Sequence, residues 1–190
     1  MYKTYIIAVN AISGGGKTTV TQSLKNNLHN AEALYFDDRN YDINSGIVDI
    51  CKWMDEGADV NRFNLELLIA DIELLLKKGL DFIILDYPFG RRHDKMKKYI
   101  DVSIFIDTPL DIALGRRLLR DYKEFSEKNI LIDIEQYLSA GRQTYISSMN
   151  LAIDDADIII DGYRPLNEIV ELIKCKINDE VEKLNVSSNF

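Results

Sequence analysis

The sequence predicts an α/β chain folded as three α/β/α layers around a five-stranded parallel sheet, and three observations carry that expectation. Four short Ile-rich runs scarcely alternate between apolar and polar residues, as strands buried on both faces do. Stretches with helical apolar spacing lie between them. The three prolines stand where such an alternation needs breaks, Pro88 after a strand and Pro109 and Pro165 at helix starts. Strand and helix in turn imply a parallel sheet covered on both sides.

In chain order, residues 4–10 form the first strand. Residues 17–29 place Val20, Leu24 and Leu28 on one helical stripe. Residues 33–36, ending at Asp37, make a fifth, less apolar strand. Residues 64–77 carry Leu65, Leu68, Ile69, Ile72, Leu75 and Leu76 at helical spacing. Strands follow over residues 81–86 and 102–107, then a helix over 109–124, a strand over 156–161 and a helix over 165–184. No linker, low-complexity tract or internal repeat interrupts residues 1–184, which read as one domain, with residues 185–190 as a flexible C-terminal tail.

Composition narrows the function classes. The chain has 190 residues, 46% hydrophobic and 28% charged, ordinary for a globular domain. Such a chain buries about 70% of its unfolded surface, enough for a core without staples. A net charge of −8 argues against nucleic acid or an anionic membrane as partner. Phosphate ligands need only a local positive site, and residues 91–123 hold nine Lys or Arg against five Asp, a local +4 that leaves −12 elsewhere. No run reaches about 18 apolar residues and no signal-peptide core is present, so a cytoplasmic protein is expected. Cys51 and Cys175 have no metal-ligand spacing and read as free thiols in a reducing compartment.

Ligands of open α/β sheets gather at the carboxyl ends of strands, here marked by Asn10, Asp37, Asp86, Asp107 and Asp161. The first of these runs into Ala-Ile-Ser-Gly-Gly-Gly-Lys-Thr-Thr over residues 11–19, between a strand and a helix. This is a phosphate-binding loop with Ala11 in the place of its first glycine, and it specifies the P-loop NTPase fold. Backbone N–H groups of Ser13, Gly14, Gly15 and Gly16, with the helix N-terminus behind them, can cradle the phosphates of ATP. Lys17 can reach the β- and γ-phosphates, Thr18 can hold Mg²⁺, and Thr19 is placed for the α-phosphate. Asp86 occupies the Walker B position and can complete the Mg²⁺ site. The guanine-reading Asn-Lys-x-Asp motif is absent.

With Leu-Tyr-Phe-Asp-Asp over residues 34–38, the stretch from Ile6 to Asp38 resembles the uridine kinase and nicotinamide riboside kinase family. A kinase needs a carboxylate that orients the acceptor hydroxyl and takes its proton. The resemblance assigns that role to Asp37, with Asp38 as the second candidate. Residues 101–121 are similar to the family's strand, Asp-Thr-Pro turn and lid helix, bearing Arg116, Arg117 and Arg120, and imply a helical lid over about residues 112–130. Arg116 and Arg120 would meet the moving phosphoryl group with forked donors. Residues 155–162 resemble the family's last strand, and the loop after it puts Arg164 near the ATP base. The resemblance extends over about residues 4–175.

Two departures concern the acceptor. Asp86-Tyr87-Pro88-Phe89-Gly90 stands where many relatives carry Glu-Gly, and residues 40–63 show no substrate-reading hairpin. The acceptor pocket is expected to draw on Asp38, Tyr41, Arg62, Tyr87, Phe89, Arg91 and Arg142, with Arg92 close by and His93 as an exposed loop residue. The implied function is Mg-ATP-dependent phosphoryl transfer to a hydroxyl of a small metabolite, a nucleoside or riboside. A nucleoside monophosphate kinase, with Arg62, Arg91, Arg92 or Arg142 on an acceptor phosphate, is one alternative. A regulatory module that binds ATP and phosphorylates nothing is another. Lys17→Ala should abolish ATP binding measured by calorimetry, and undiminished affinity would refute the phosphate-loop assignment.

Overall fold

The computed structural model describes residues 3–37, 41, 47, 49–123 and 127–187. Five strands, β1 (Tyr5–Asn10), β2 (Ala31–Tyr35), β3 (Phe82–Asp86), β4 (Val102–Asp107) and β5 (Ile158–Asp161), form one parallel sheet in the order β2-β3-β1-β4-β5. Every residue of β1 is buried, because β3 and β4 flank it and helices cover both of its faces.

The pleat of β1 divides the core in two. Ile6 and Ala8 face a cluster with Ile83, Leu85, Leu65, Leu68 and Ile72. Ile7 and Val9 face the other, with Ile84, Ile104, Val20, Leu24 and Ile173. The first cluster is covered by α3 (Glu66–Leu76) and the short α2 (Ile50–Asp55), whose N-cap Asp49 accepts the Lys52 N–H. The second is covered by α1 (Lys17–Asn27) and α7 (Leu166–Ser187). The expected three layers are therefore present. Among the described residues, no helix is long and apolar enough to cross a membrane.

The two edge strands differ from the central ones. Ile158 and Ile160 are buried while Ile159 is 44% exposed, so β5 alternates although its sequence is uniformly apolar. An edge strand here has a helix packed on one face only. β2 is half-buried along its whole length and begins two residues earlier than its sequence suggests.

The larger surprise lies between α4 (Leu110–Asp121) and β5. Residues 127–155, which show no single apolar stripe, form α5 (Glu127–Gln136), a π-helical turn (Tyr137–Gly141) and α6 (Arg142–Asp155). Leu131 and Leu138 are 61% and 70% exposed, and the wide turn shifts the helical phase between the two segments. The C-terminal helix continues to Ser187, three residues into the expected tail, whose remaining residues 188–190 lie outside those described.

Behind β3 the chain reverses at Gly90, which has φ of +53°. A β-carbon there would lie 1.9 Å from Asp155 Oδ2, in a left-handed conformation that already strains an L side chain. Gly90→Ala should lower unfolding free energy by about 1–3 kcal/mol, measured by urea denaturation. A variant as stable as the parent would contradict this close approach.

Candidate active site

The loop between β1 and α1 curls through Gly14, Gly15 and Gly16, with the Gly15 N–H donating to the Ile12 carbonyl at 2.8 Å. Ala11 fits because Gly15 faces it: a β-carbon on residue 15 would come within 2.9 Å of Ala11 Cβ and 2.8 Å of the Ile12 carbonyl oxygen. The missing first glycine is thus accommodated by a bare backbone opposite. Thr108, fully buried after β4, donates its hydroxyl to the Gly15 carbonyl at 2.8 Å and braces the loop from the side. Nothing in the sequence of the Asp-Thr-Pro turn singles out Thr108. Its burial beside the loop depends on β4 pairing with β1.

Lys17 opens α1 and forms an ion pair with Asp86 at the end of β3, the side chains being 14% and 4% exposed. The parallel register Val9↔Asp86 brings the Walker B carboxylate beside the phosphate-loop lysine. Thr18 and Thr19 are exposed on the first turn of α1. A buried carboxylate and an exposed hydroxyl are hard oxygen donors that fit Mg²⁺, an ion that keeps several waters and takes phosphate oxygens. Among the described residues no cluster of three or more His, Cys, Asp or Glu forms a separate metal site.

Two of the three arginines of α4 face the loop. Arg116 Nη1 lies 4.0 Å from the position of a β-carbon on Gly16 and 3.5 Å from the Gly162 carbonyl. Arg120 reaches Ser13 Oγ at 3.4 Å and pairs with Asp121 at 2.6 Å. That pairing raises the Arg120 pKa against the opposing effect of burial, and Asp37 adds to the rise. Asp37 is exposed one residue beyond Phe36, whose N–H donates to the Asp86 carbonyl at 3.0 Å. Arg117 does not join them; it pairs with Asp133 of α5 at 2.9 Å.

A cavity of about 210 Å³ opens beside the loop, lined by Gly16, Thr19, Ile106, Arg116, Arg164 and Leu166 among others. Arg164, expected near the base of ATP, sits in that wall and lies 3.8 Å from Asp161 and 3.6 Å from Glu168.

The expected acceptor residues are not brought together. Tyr41, Tyr87 and Phe89 belong to an aromatic core with Phe36, Trp53 and Phe63. The Tyr41 hydroxyl donates to Asp71 at 2.6 Å. Tyr87 is wholly buried, and its hydroxyl has no hydrogen-bond partner among the described residues. Burial pushes that phenol's pKa well above its ordinary value, with Asp155 adding to the effect. Arg62 is exposed on the turn Val60–Arg62, 3.9 Å from Glu56, and Arg142 is exposed at the start of α6. Asp38 lies outside the described residues.

Arg91 is a clamp rather than a ligand-facing group. Its guanidinium donates to the carbonyls of Ile100 and Asp101 at 3.1 and 2.7 Å and pairs with Asp157 at 2.5 Å, joining the chain before β4 to the start of β5. Arg92 turns inward to the Ala58 carbonyl at 3.2 Å, and burial lowers its pKa. His93, expected to be exposed, is 2% exposed. Its Nδ1 accepts the Lys95 N–H at 3.2 Å, which leaves Nε2 to donate to the Phe63 carbonyl at 3.1 Å.

No family model matches the chain. A gluconokinase from Sinorhizobium meliloti 1021 superposes with a TM-score of 0.61 at 17% identity, covering 99% of both chains. A shikimate kinase from Bacteroides thetaiotaomicron gives 0.54 at 14% identity, covering 92% of this chain and 98% of its own. The fold is that of the P-loop NTPases. Curated relatives include a uridine kinase of Staphylococcus aureus strain JH9, 29% identical over 96% of this chain and 100% of its own length. A uridine kinase of Ligilactobacillus salivarius UCC118 is 26% identical over 95% of this chain and 96% of its own.

The clamp yields a prediction. Arg91→Ala leaves buried acceptors without their donor and should cost about 1–3 kcal/mol of stability while leaving nucleotide affinity unchanged. Weakened nucleotide binding at unaltered stability would place Arg91 in the site instead.

Proposed function

We propose that this chain is a Mg-ATP-dependent kinase that transfers the γ-phosphoryl group to a hydroxyl of a small metabolite of the nucleoside or riboside class. The observation that carries this reading is the meeting of Lys17 and Asp86 at the phosphate loop, with Arg120 reaching Ser13 from α4 and exposed Asp37 following the end of β2, whose Phe36 N–H donates to the Asp86 carbonyl. The names of the relatives point the same way: all those described above are small-molecule kinases, and the curated ones are uridine kinases.

The division of labour follows from charge and position. Lys17 and the loop N–H groups hold the triphosphate. Thr18 and Asp86 would hold Mg²⁺, which neutralises phosphate charge during transfer. When nucleotide binds, Lys17 must exchange Asp86 for phosphate oxygens. Asp37, exposed after β2, orients the acceptor hydroxyl and accepts its proton. Arg116 and Arg120 stabilise charge on the moving phosphoryl. The monophosphate-kinase alternative loses support because Arg91 and Arg92, two of its four arginines, are turned into the fold. A regulatory module would not require a carboxylate such as Asp37 after β2. Free Cys51 and Cys175 accord with a reducing cytoplasmic setting.

Two measurements test the proposal. ADP release with Mg-ATP should be stimulated by uridine, cytidine or nicotinamide riboside more than by pantothenate, shikimate or nucleoside monophosphates. Asp37→Asn should leave ATP affinity nearly intact and cut kcat by about 10²–10⁴-fold. A fully active variant removes Asp37 from the chemistry. Tight ATP binding with no stimulation by any hydroxyl compound would favour the regulatory module.

A further inference from the structure

Arg117 is the residue of the lid helix whose place the sequence does not foretell. It lies about 100° around α4 from Arg116, whereas Arg120 is only about 40° from Arg116, since each residue turns a helix by about 100°. Arg116 and Arg120 therefore look toward the loop together. Arg117 looks sideways, to Asp133 on α5, with Nη2 to Oδ1 at 2.9 Å and side chains only 15% and 13% exposed. Burial works against the Arg117 charge, but the bond to Asp133 and nearby Tyr145, Asp133 and Asp121 more than offset it. A pair so enclosed is costly to break, because either partner alone leaves an uncompensated charge.

The helix that carries this pair is pressed against the phosphate loop. A β-carbon on Gly14 would lie 2.1 Å from the Ala113 carbonyl oxygen and 3.2 Å from Arg117 Cβ. Tyr145, on α6, and Ser13 of the loop line the same small space, and Arg120 approaches the Ser13 hydroxyl at 3.4 Å. Ile12, Ser13, Ala113, Arg117, Tyr137 and Tyr145 close this contact on all sides. So α4 touches the loop along one side and is tied to α5 along another. A rotation of α4 by a few tens of degrees would swing both loop-facing guanidiniums off the phosphates, and the Arg117–Asp133 pair is a directional contact that opposes it.

Resting on the kinase reading above, we propose that Arg117 and Asp133 are positioning residues: their ion pair sets the rotation of α4 so that Arg116 and Arg120 meet the terminal phosphate. The pair itself does not touch the nucleotide.

The test uses the full chain and reads the preference for Mg-ATP over Mg-ADP by calorimetry, which requires no acceptor and no turnover. Arg120→Ala should reduce that preference about tenfold. Asp133→Asn, which keeps the side-chain shape but removes the charge, should reduce it about fivefold. The double variant should fall no more than about twofold below Arg120→Ala, because a misaimed arginine and an absent one are equivalent. A merely structural role would lower the thermal midpoint and leave the ATP-to-ADP ratio unmoved. If Asp133→Asn fails to fold, Arg117→Lys, which keeps the charge but lacks the planar fork, is measured in the same cycle. Loss in Arg120→Ala combined with an unchanged ratio in Asp133→Asn, or with additive losses in the double variant, overturns the positioning role alone. An unchanged ratio in Arg120→Ala overturns the assignment of the lid arginines to the phosphoryl group, and the positioning role with it.

Discussion

Lys17 and Asp86 meet because β1 lies between β3 and β4 and both of its faces are covered. A strand enclosed in this way cannot slip by one residue without exchanging its two apolar sets. Ile6 and Ala8 would enter the cluster that fits Ile7 and Val9, and the reverse. The register Val9↔Asp86 is held by that constraint, and with it the distance from the start of α1 to the end of β3. Every other part of the candidate site is placed relative to this ion pair. Thr108 approaches the loop from β4, Asp37 follows β2, and the lid arginines come across from α4.

The charge distribution acquires a different meaning in three dimensions. Residues 91–123 look like one basic stretch fit to close over a polyanion. The fold divides it. Arg91 spends its donors on backbone carbonyls and Asp157, Arg92 turns to Ala58, and Lys95 lies 3.3 Å from Glu66. Of the five arginines, Arg116 and Arg120 bring their guanidiniums to the phosphate loop. A local positive charge of this kind supports ion pairs with the acidic remainder as readily as it supports a ligand, and buried carbonyls compete for guanidinium donors. The two whose guanidiniums turn toward the loop share one helical face.

The acceptor side shows the same competition among aromatic residues. Tyr41, Tyr87 and Phe89 flank strand ends in sequence, where a stacking platform would stand, yet they pack with Phe36, Trp53 and Phe63. Ring–ring contacts and apolar burial explain why they turn inward without a ligand. In the comparison with uridine kinases, the departure at residues 86–90 thus corresponds to a filled aromatic layer.

Sequence alone determined the features whose cause is local. Uniform Ile-rich runs specify strands buried on both faces, glycines followed by Lys17 and Thr18 specify a phosphate cradle before a helix, and Arg116 and Arg120 share a face by helical spacing. The helices of residues 127–155 escaped it because their apolar residues keep no single stripe, much of that surface is exposed, and a π-helical turn breaks the phase. What the tertiary structure decided was which of several chemically similar side chains face the site. Arg91, Arg117 and Tyr87 have the same chemistry as Arg116, Arg120 and any exposed tyrosine. Their roles differ because partners far away in sequence, Asp157, Asp133 and the aromatic core, reach them first.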